Sequence, residues 1–336
     1  NNMYVNNKID ICNLLILLVV LFDTLFQFKF GYNILGYTIE PVNQIRLTSF
    51  FKNEYVVGGF IAKIYLPVLV GTYFLFNKNK YKNTIFLIFS LLINITIFLS
   101  GERASLIISF ISLIFLFIFI KELRKILFIK FFMSILIISL ILLLSPKLND
   151  RYIKETLNHS LKAGNANDNN IYNSHYGALF LSSIEIYKKN ILFGNGLRSY
   201  RKIACNPEEN KIIIKKIQDK TDHAKFLCST HPHNIILEFL VDLGLIGLMF
   251  FLYIFFNKIK NLYMISKMNN NYTINKNITI AFGIQLLAII WPINTHGSFF
   301  STWNASFFIW NFCIFYSLLF LLNTNLQSTK QNQIKK

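Results

Sequence analysis

The sequence has few charged residues. Only 15% of its 336 residues are Asp, Glu, Lys or Arg, whereas 54% are hydrophobic and the mean hydropathy is +0.45. Soluble globular proteins contain about 25% charged residues, so the composition excludes an ordinary soluble domain. The apolar residues come in blocks close to the ~20 residues that cross a bilayer as a helix. We therefore predict an all-α fold, a polytopic transmembrane helix bundle.

Acidic residues are scarcer than basic ones, 16 against 34, which gives a net charge of +18. Such an excess can indicate nucleic-acid binding. However, the lysines are mostly single and lie among asparagines, with no arginine-rich stripe and no basic face interleaved with aromatics. The sequence therefore predicts membrane lipids, and no nucleic acid, as partners.

Eight apolar runs are candidate membrane spans. They are 9–30, 56–76, 84–100, 104–120, 126–145, 234–256, 278–293 and 300–322. Basic residues collect in alternate connections, which places these connections in the cytoplasm. The residues are Lys78, Lys80, Lys82, Lys121, Arg124, Lys125, Lys130, Lys258, Lys260, Lys267, Lys330, Lys335 and Lys336.

When the eight spans cross the membrane in order, the chain divides into three regions. Residues 1–145 hold about five spans, 146–233 form one long periplasmic loop with short helices, and 234–336 hold about three spans and a cytoplasmic tail. The chain begins with Asn1 and shows no signal peptide, so we expect that it lacks its true start. Within the loop we predict a flexible linker at 162–173 and an amphipathic helix at 176–187, lying on the membrane or the bundle.

Cysteine is rare. Cys12 and Cys313 lie in apolar spans and are interpreted as small core residues. Cys205 and Cys228 share the periplasmic loop, where an oxidising compartment favours a disulfide.

The segment Thr230-His231-Pro232-His233-Asn234 places an imidazole at the start of an apolar helix. Ionisable groups at membrane depth are costly, so the default interpretation of His233 is a functional site. Asn234 can cap the helix. A helix N-terminus favours the neutral imidazole, which is the form that a general base needs. The alternative is a polar residue satisfied at the membrane interface.

His233, Asn234, nine further residues, Gly244 and then Gly247 reproduce the signature of the O-antigen ligase and polymerase family, which this chain resembles. The turn Gly194-Asn195-Gly196 adds to the resemblance. The resemblance implies a bundle similar to glycosyltransferase C and a glycan donor carried on undecaprenyl diphosphate. It also implies that His233 takes a proton from an acceptor sugar hydroxyl. We interpret the two glycines of the span as packing residues that let another helix approach.

Arg103 lies in a turn of about three residues between two spans. A guanidinium there suits bidentate binding of phosphate oxygens, and the resemblance implies that it binds the lipid diphosphate. The alternatives are an ion pair with Glu102 and interfacial snorkelling. Arg46 begins a stretch similar to an Arg-x-x-Gly-x-Phe pattern of the family, with Ser49 where glycine is common, and is a second candidate for the substrate.

Other candidates for substrate binding lie in or beside the loop. Where relatives carry an arginine before the amphipathic helix, this chain has His175, and Arg198 and Arg201 beside the glycine turn are possible replacements. The alternative is that these side chains are simply solvated, as charges in loops mostly are. Glu238 and Asp242 lie four residues apart on one face of the helix. They could hydrogen-bond sugar hydroxyls or pair with an arginine, or could equally form an internal ion pair or a cap.

Signals for other chemistries are missing. Cys228, His231 and His233 are three potential zinc ligands within six residues, but no second cluster stands at metal-site spacing. There is no Gly-x-Ser-x-Gly, so a hydrolase triad is not indicated. We predict no metal and no cofactor.

The combined interpretation is an enzyme of the bacterial inner membrane, with His233 and an arginine in one periplasmic pocket. It most closely fits a ligase that moves an undecaprenyl-diphosphate-linked glycan onto lipid A-core. A polymerase, whose acceptor is another lipid-linked glycan, is the alternative. A lipid-linked glycan transporter is a second alternative, although neither internal symmetry nor paired half-helices are visible. A third alternative is a protein that acts only as a scaffold for envelope assembly.

Overall fold

A computed structural model describes residues 2–39, 45–76, 78–156, 174–221, 224, 227–268, 273–292 and 297–334. The linker predicted at 162–173 lies outside these residues. The described part contains helices and no strand, which confirms the all-α prediction. Its α-helices are α1 Asn2–Phe30, α2 Val57–Leu75, α3 Lys82–Leu99, α4 Arg103–Phe119, α5 Arg124–Leu144, α6 Pro146–Asn149, α7 His175–Tyr187, α8 Ser199–Ala204, α9 Pro207–Ile217, α10 Ile235–Lys267, α11 Thr273–Ile289 and α12 Thr302–Ile334.

A helix occupies each of the eight predicted spans. Six of them, α1, α2, α3, α5, α10 and α12, lie in segments long and apolar enough to cross a membrane. α4 and α11 have 17 residues each, the lower limit for a span. The outward faces of these helices are apolar. On α5, for example, Leu136, Leu143 and Leu144 are 69%, 79% and 75% exposed, as suits a surface that meets lipid.

The chain divides into two compact units. The first comprises Asn1–Leu148, Lys258–Ile289 and Phe307–Lys336. The second comprises Asn149–Asn257 and Ile290–Ser306.

α2 forms the centre of the first unit and packs against α1, α3, α4 and α11. Almost all of its residues are buried. Gln285 of α11 is buried against it, and its Nε2 donates to the Ala62 carbonyl at 2.8 Å. Pro67 lacks an N–H, so it cannot bond the carbonyl four residues earlier. That carbonyl, of Lys63, accepts instead from Asn311 Nδ2 at 3.4 Å.

Two of the lysines predicted to lie in cytoplasmic connections are buried inside helices, so the prediction that they lie in a connection was wrong. Lys130 is in α5 and Lys258 is in α10, and they are 1% and 2% exposed. The Lys258 Nζ lies 3.8 Å from the ring centroid of Phe315 and 4.1 Å from that of Tyr316. Aromatic faces attract a cation, which accommodates the Lys258 ammonium group inside α10.

The second unit has a core of its own. Ala178, Leu179 and Ile186 of α7 pack there with residues of α8 and α9, namely Tyr200, Ala204, Ile213 and Ile217. The predicted helix at 176–187 is therefore present, and its buried side packs in this core. Ile184 is 38% exposed, whereas Ser182 and Ser183 are buried. Both seryl hydroxyls donate to the Leu179 carbonyl, which makes their burial possible.

Candidate functional site

His233 lies in the turn that leads into α10. Its backbone is left-handed, with φ +56°, a conformation that non-glycine residues adopt rarely and mostly in special turns. Asn234 follows it, and its Oδ1 accepts from the Leu237 N–H at 3.1 Å, as a helix cap does. The Asn234 Nδ2 donates to the Pro292 carbonyl at 3.4 Å. The half-buried imidazole therefore lies beside the N-terminus of α10.

Aromatic rings surround this imidazole. The His231 and His233 ring centroids are 4.0 Å apart, and the His233 ring meets Tyr176 edge to face at 5.6 Å. His175 lies next to Tyr176, 5.9 Å away. Tyr176 and His175 begin α7, so the starts of two helices meet at His233.

The segment before His233 is anchored on the core of the second unit. The Tyr200 hydroxyl donates to the Leu227 carbonyl at 3.1 Å and is 2.8 Å from the Ser182 hydroxyl. Burial raises the pKa of the Tyr200 hydroxyl to about 12, against a smaller opposing effect of Ser182. A disulfide joins Cys205 at the end of α8 to Cys228. His231 is 8% exposed, and its Nδ1 is 2.8 Å from Thr230 Oγ1.

Opening the Cys205–Cys228 bridge by Cys205→Ser should loosen the second unit. The bridge closes a loop of 23 residues in sequence, and a cross-link of this size stabilises by about 2–4 kcal/mol. We expect a lower melting temperature and faster proteolysis between residues 205 and 228. Cys313→Ser, at an exposed free cysteine of α12, is the matched control. Free thiols at both Cys205 and Cys228 in the purified protein would contradict the prediction.

Gly244 breaks α10, so the span predicted at 234–256 is two helices and not one. Its backbone is non-helical, with φ +68° and ψ −164°. The break admits the turn around Gly194: the Leu245 and Ile246 N–H groups donate to the carbonyls of Ile191 and Leu192 at 2.9 and 3.2 Å. A Cβ on Gly244 would lie 2.4 Å from the Leu192 oxygen. Gly244 therefore allows a close approach, as expected of a packing glycine, but to a loop and not to a helix.

Gly247 has a related position. A Cβ there would lie 2.2 Å from the Cβ of Leu243, four residues earlier on the other side of the break. Gly247 therefore makes room for the Leu243 side chain at the kink of its own helix.

Asp242 holds the other side of the same junction. Its carboxylate accepts from the backbone N–H groups of Arg198 and Ser199 at 2.7 and 3.1 Å, and from the Ser199 hydroxyl at 2.9 Å. These donors belong to the first turn of α8, so Asp242 satisfies N–H groups that the helix leaves unpaired. The Gly196 N–H also donates to the Asp242 carbonyl at 3.0 Å. Asp242 is therefore a structural residue of this junction.

Two predicted substrate residues contact the segment that precedes α12. Glu238 is 4% exposed, and its carboxylate accepts from the Ser298 hydroxyl and, at 2.8 Å, from the Phe299 N–H. The Arg198 guanidinium donates to the Phe300 carbonyl at 2.7 and 3.2 Å. Both side chains thus position residues 298–300. Arg201 is exposed on α8, while His175 is half-buried in the ring cluster.

In the first unit, Arg46 and the turn before Arg103 lie together. The Leu47 N–H donates to the Ser100 carbonyl at 3.2 Å. The Arg46 guanidinium donates to the Tyr55 carbonyl at 3.1 Å and lies 4.6 Å from the Tyr55 ring centroid. Arg103 is the first residue of α4 and is half-buried. The structure thus brings two predicted anion-binding residues to one region.

Glu102 stabilises this region. Its carboxylate accepts from the Gly58 and Gly59 N–H groups at 2.7 and 3.1 Å and from the Ser105 hydroxyl at 3.0 Å. Burial raises the pKa of the carboxyl, while these hydrogen bonds and the charge of Arg46 act in the opposite direction. Glu102 therefore joins the start of α2 to the start of α4.

Ser49, three residues after Arg46, has a backbone conformation that suits glycine. Its φ is +50°, a left-handed conformation that glycine adopts without strain. Ser49 is held there by buried polar groups. Its N–H donates to Gln27 Oε1 at 2.7 Å, and its hydroxyl donates to Asp23.

A family model described as O-antigen ligase matches residues 85–252, half of the chain. The chain belongs to this family. It is therefore a multi-pass membrane glycosyltransferase of the ligase and polymerase type, acting on lipid-linked substrates. The chain matches no curated protein and no solved structure.

The O-antigen ligase match includes every predicted site residue except Arg46. Two contributors to the candidate site were missed as such from the sequence, namely Tyr176 and His231 beside His233. His231 was considered only as a zinc ligand. The sulfur of its supposed partner Cys228 is bonded to Cys205, and no group of three potential metal ligands occurs among the described residues. The two-residue spacing from His233 was the available signal for His231.

Proposed function

We propose that this protein ligates a glycan from undecaprenyl diphosphate onto a sugar hydroxyl of lipid A-core, at the periplasmic face of the inner membrane. The observation that carries the proposal is the half-buried His233 imidazole, presented at a capped helix start and packed against His231 and Tyr176. The family match and the signature from His233 to Gly247 support it.

The acceptor hydroxyl attacks the anomeric carbon of the donor glycan, whose bond to the diphosphate breaks with inversion. His233 accepts the hydroxyl proton as a general base. Arg103, assisted by Arg46, binds the departing diphosphate and stabilises the charge that develops on it. That these groups act in one reaction stays a prediction. Guanidinium groups can neutralise phosphate without a metal ion.

Purified full-length protein tests the proposal with an isolated lipid-diphosphate glycan as donor and two acceptors offered separately. We expect transfer to lipid A-core, and none to a second lipid-linked repeat unit. The reverse preference would establish a polymerase and overturn ligation. A deletion strain gives an independent answer, since a missing ligase leaves long lipid-linked chains, whereas a missing polymerase leaves single repeats on lipid A.

Arg103→Ala tests the donor site separately. We expect a higher KM for the donor and slower transfer at saturation, since a hydrogen bond to a charged group contributes about 1.5–3 kcal/mol. An unchanged rate and KM in a folded Arg103→Ala variant would remove this residue from the mechanism. It would leave the role of His233 standing.

A further inference from the structure

A cavity of about 500 Å³ opens in the first unit, where α4, α10 and α11 come together at their ends. Its walls are Phe119, Lys121, Glu122, Ser266, Lys267, Met268, Lys276 and Asn277. Cavities of this size commonly hold ligands. None of the eight residues belongs to the proposed catalytic groups, and none comes from the second unit.

The cavity carries an excess of positive charge. Three ammonium groups, of Lys121, Lys267 and Lys276, line it with one carboxylate, of Glu122. Among the described residues, no ion pair joins Glu122 to any of these lysines. The Lys276 Nζ donates to the Met268 carbonyl at 2.8 Å, a neutral partner that leaves its charge in place. The wall is therefore suited to an anion.

Asn277 adds a donor that the described fold does not use. The residue is 1% exposed and lines the cavity, and its Nδ2 has no hydrogen-bond partner among the described residues. Buried polar groups are nearly always bonded, and leaving one unbonded costs free energy. A ligand that accepts hydrogen bonds from this amide would remove that cost.

We infer that the cavity binds a phosphate group. Phosphate supplies both features that the wall requires, namely negative charge for the lysines and oxygen acceptors for the Asn277 amide. The group belongs either to the headgroup of an anionic phospholipid or to a soluble phosphate compound. Basic pockets between membrane helices bind lipid headgroups on the cytoplasmic side, where the sequence places Lys121 and Lys267. The inference is independent of the proposed ligase activity.

Purified full-length protein in nanodiscs tests the site. One arm compares phosphatidylglycerol with phosphatidylcholine, and the other adds inorganic phosphate to phosphatidylcholine nanodiscs. Thermal stabilisation and lipid retention in native mass spectrometry are the readouts. Stabilisation by phosphatidylglycerol alone identifies the headgroup, whereas stabilisation by inorganic phosphate identifies a soluble ligand. No stabilisation in either arm would overturn the inference.

Variants sharpen the test because they shift affinity in opposite directions. Lys121→Gln and Lys267→Gln should each weaken binding about fivefold, and Glu122→Gln should strengthen it about fivefold. Lys260→Gln, an exposed lysine of α10 outside the cavity, makes the same charge change and should leave binding unaltered. The same affinity in all four variants would overturn the inference.

Asn277→Leu distinguishes a ligand donor from a packing defect. The change removes the amide but keeps its approximate volume, so the ligand-free protein should be as stable as the parent or more stable. Phosphate or lipid affinity should fall about tenfold or more. Unchanged affinity in this variant would exclude the Asn277 amide from the site and contradict the inferred ligand geometry.

Discussion

His233→Asn is expected to slow glycan transfer at saturating donor and acceptor by about 10²–10⁴-fold, the usual contribution of a general base. Asparagine tolerates left-handed backbone, so the turn with φ +56° at His233 is kept. The variant therefore removes the ring that contacts His231 and Tyr176 without displacing the start of α10. The measurement is initial transfer rate from a labelled lipid-diphosphate glycan, normalised to folded protein.

Asn234→Ala is the control for His233→Asn. It removes the acceptor of the Leu237 N–H but leaves the imidazole, so we expect a loss of at most about fivefold, in line with the cost of a missing cap. If both variants lose activity equally, His233 acts through the geometry of the helix start and not as a proton acceptor. Full activity of folded His233→Asn would contradict the proposed mechanism.

The second large effect is expected from Gly244→Ala. Alanine with φ +68° and ψ −164° would occupy a backbone region that is essentially restricted to glycine, at a cost of about 1–3 kcal/mol. In addition, the new Cβ would lie 2.4 Å from the Leu192 oxygen and 2.5 Å from the Gly194 nitrogen. Both are backbone atoms. The carbonyls of Ile191 and Leu192 accept hydrogen bonds from the residues just after the break, so this part of the backbone cannot move away without breaking those bonds. We expect a total loss of about 3–5 kcal/mol, seen as a large fall in melting temperature and yield.

Two neighbouring glycines calibrate this expectation. Gly194→Ala should behave like Gly244→Ala. The new Cβ would lie 2.5 Å from the Asp242 carbonyl, and the alanine would have to keep the φ of +72°. Gly196 has φ +96° but no atom within 4 Å of an added Cβ, so Gly196→Ala isolates the conformational cost of about 1–2 kcal/mol. Equal losses of stability in Gly196→Ala and Gly244→Ala would show that the close approach of Gly244 to Leu192 does not limit the side chain at this position.

Helix positions in the membrane part were predictable. The apolar run 104–120 becomes Arg103–Phe119 and 126–145 becomes Arg124–Leu144, because a lipid environment forces every long apolar run to satisfy its own backbone as a helix. Lys258 is an exception to this agreement. Lys258 was assigned to a connection since charge alone was considered, whereas aromatic rings of α12 bury it.

Part of the candidate site was also visible in the sequence. Asn234 follows His233 immediately and has the side chain of a helix cap, so the position of the imidazole at a helix start is a local property. The contacts of His233 with Tyr176 were not visible. They join residues 57 positions apart in the chain through an intervening core. The role of Asp242 was equally hidden, because its donors lie more than 40 residues earlier.

The sequence by itself determined the class of this protein, the place of its apolar runs, and the short signature from His233 to Gly247. Each depends on composition, on run length or on neighbours along the chain, which need no knowledge of packing. Only the tertiary structure decided that α10 breaks at Gly244, that α7 belongs to a separate core, and that Lys121, Lys267 and Asn277 line one cavity. These depend on contacts between distant residues, whose free energy exists only once the chain has folded.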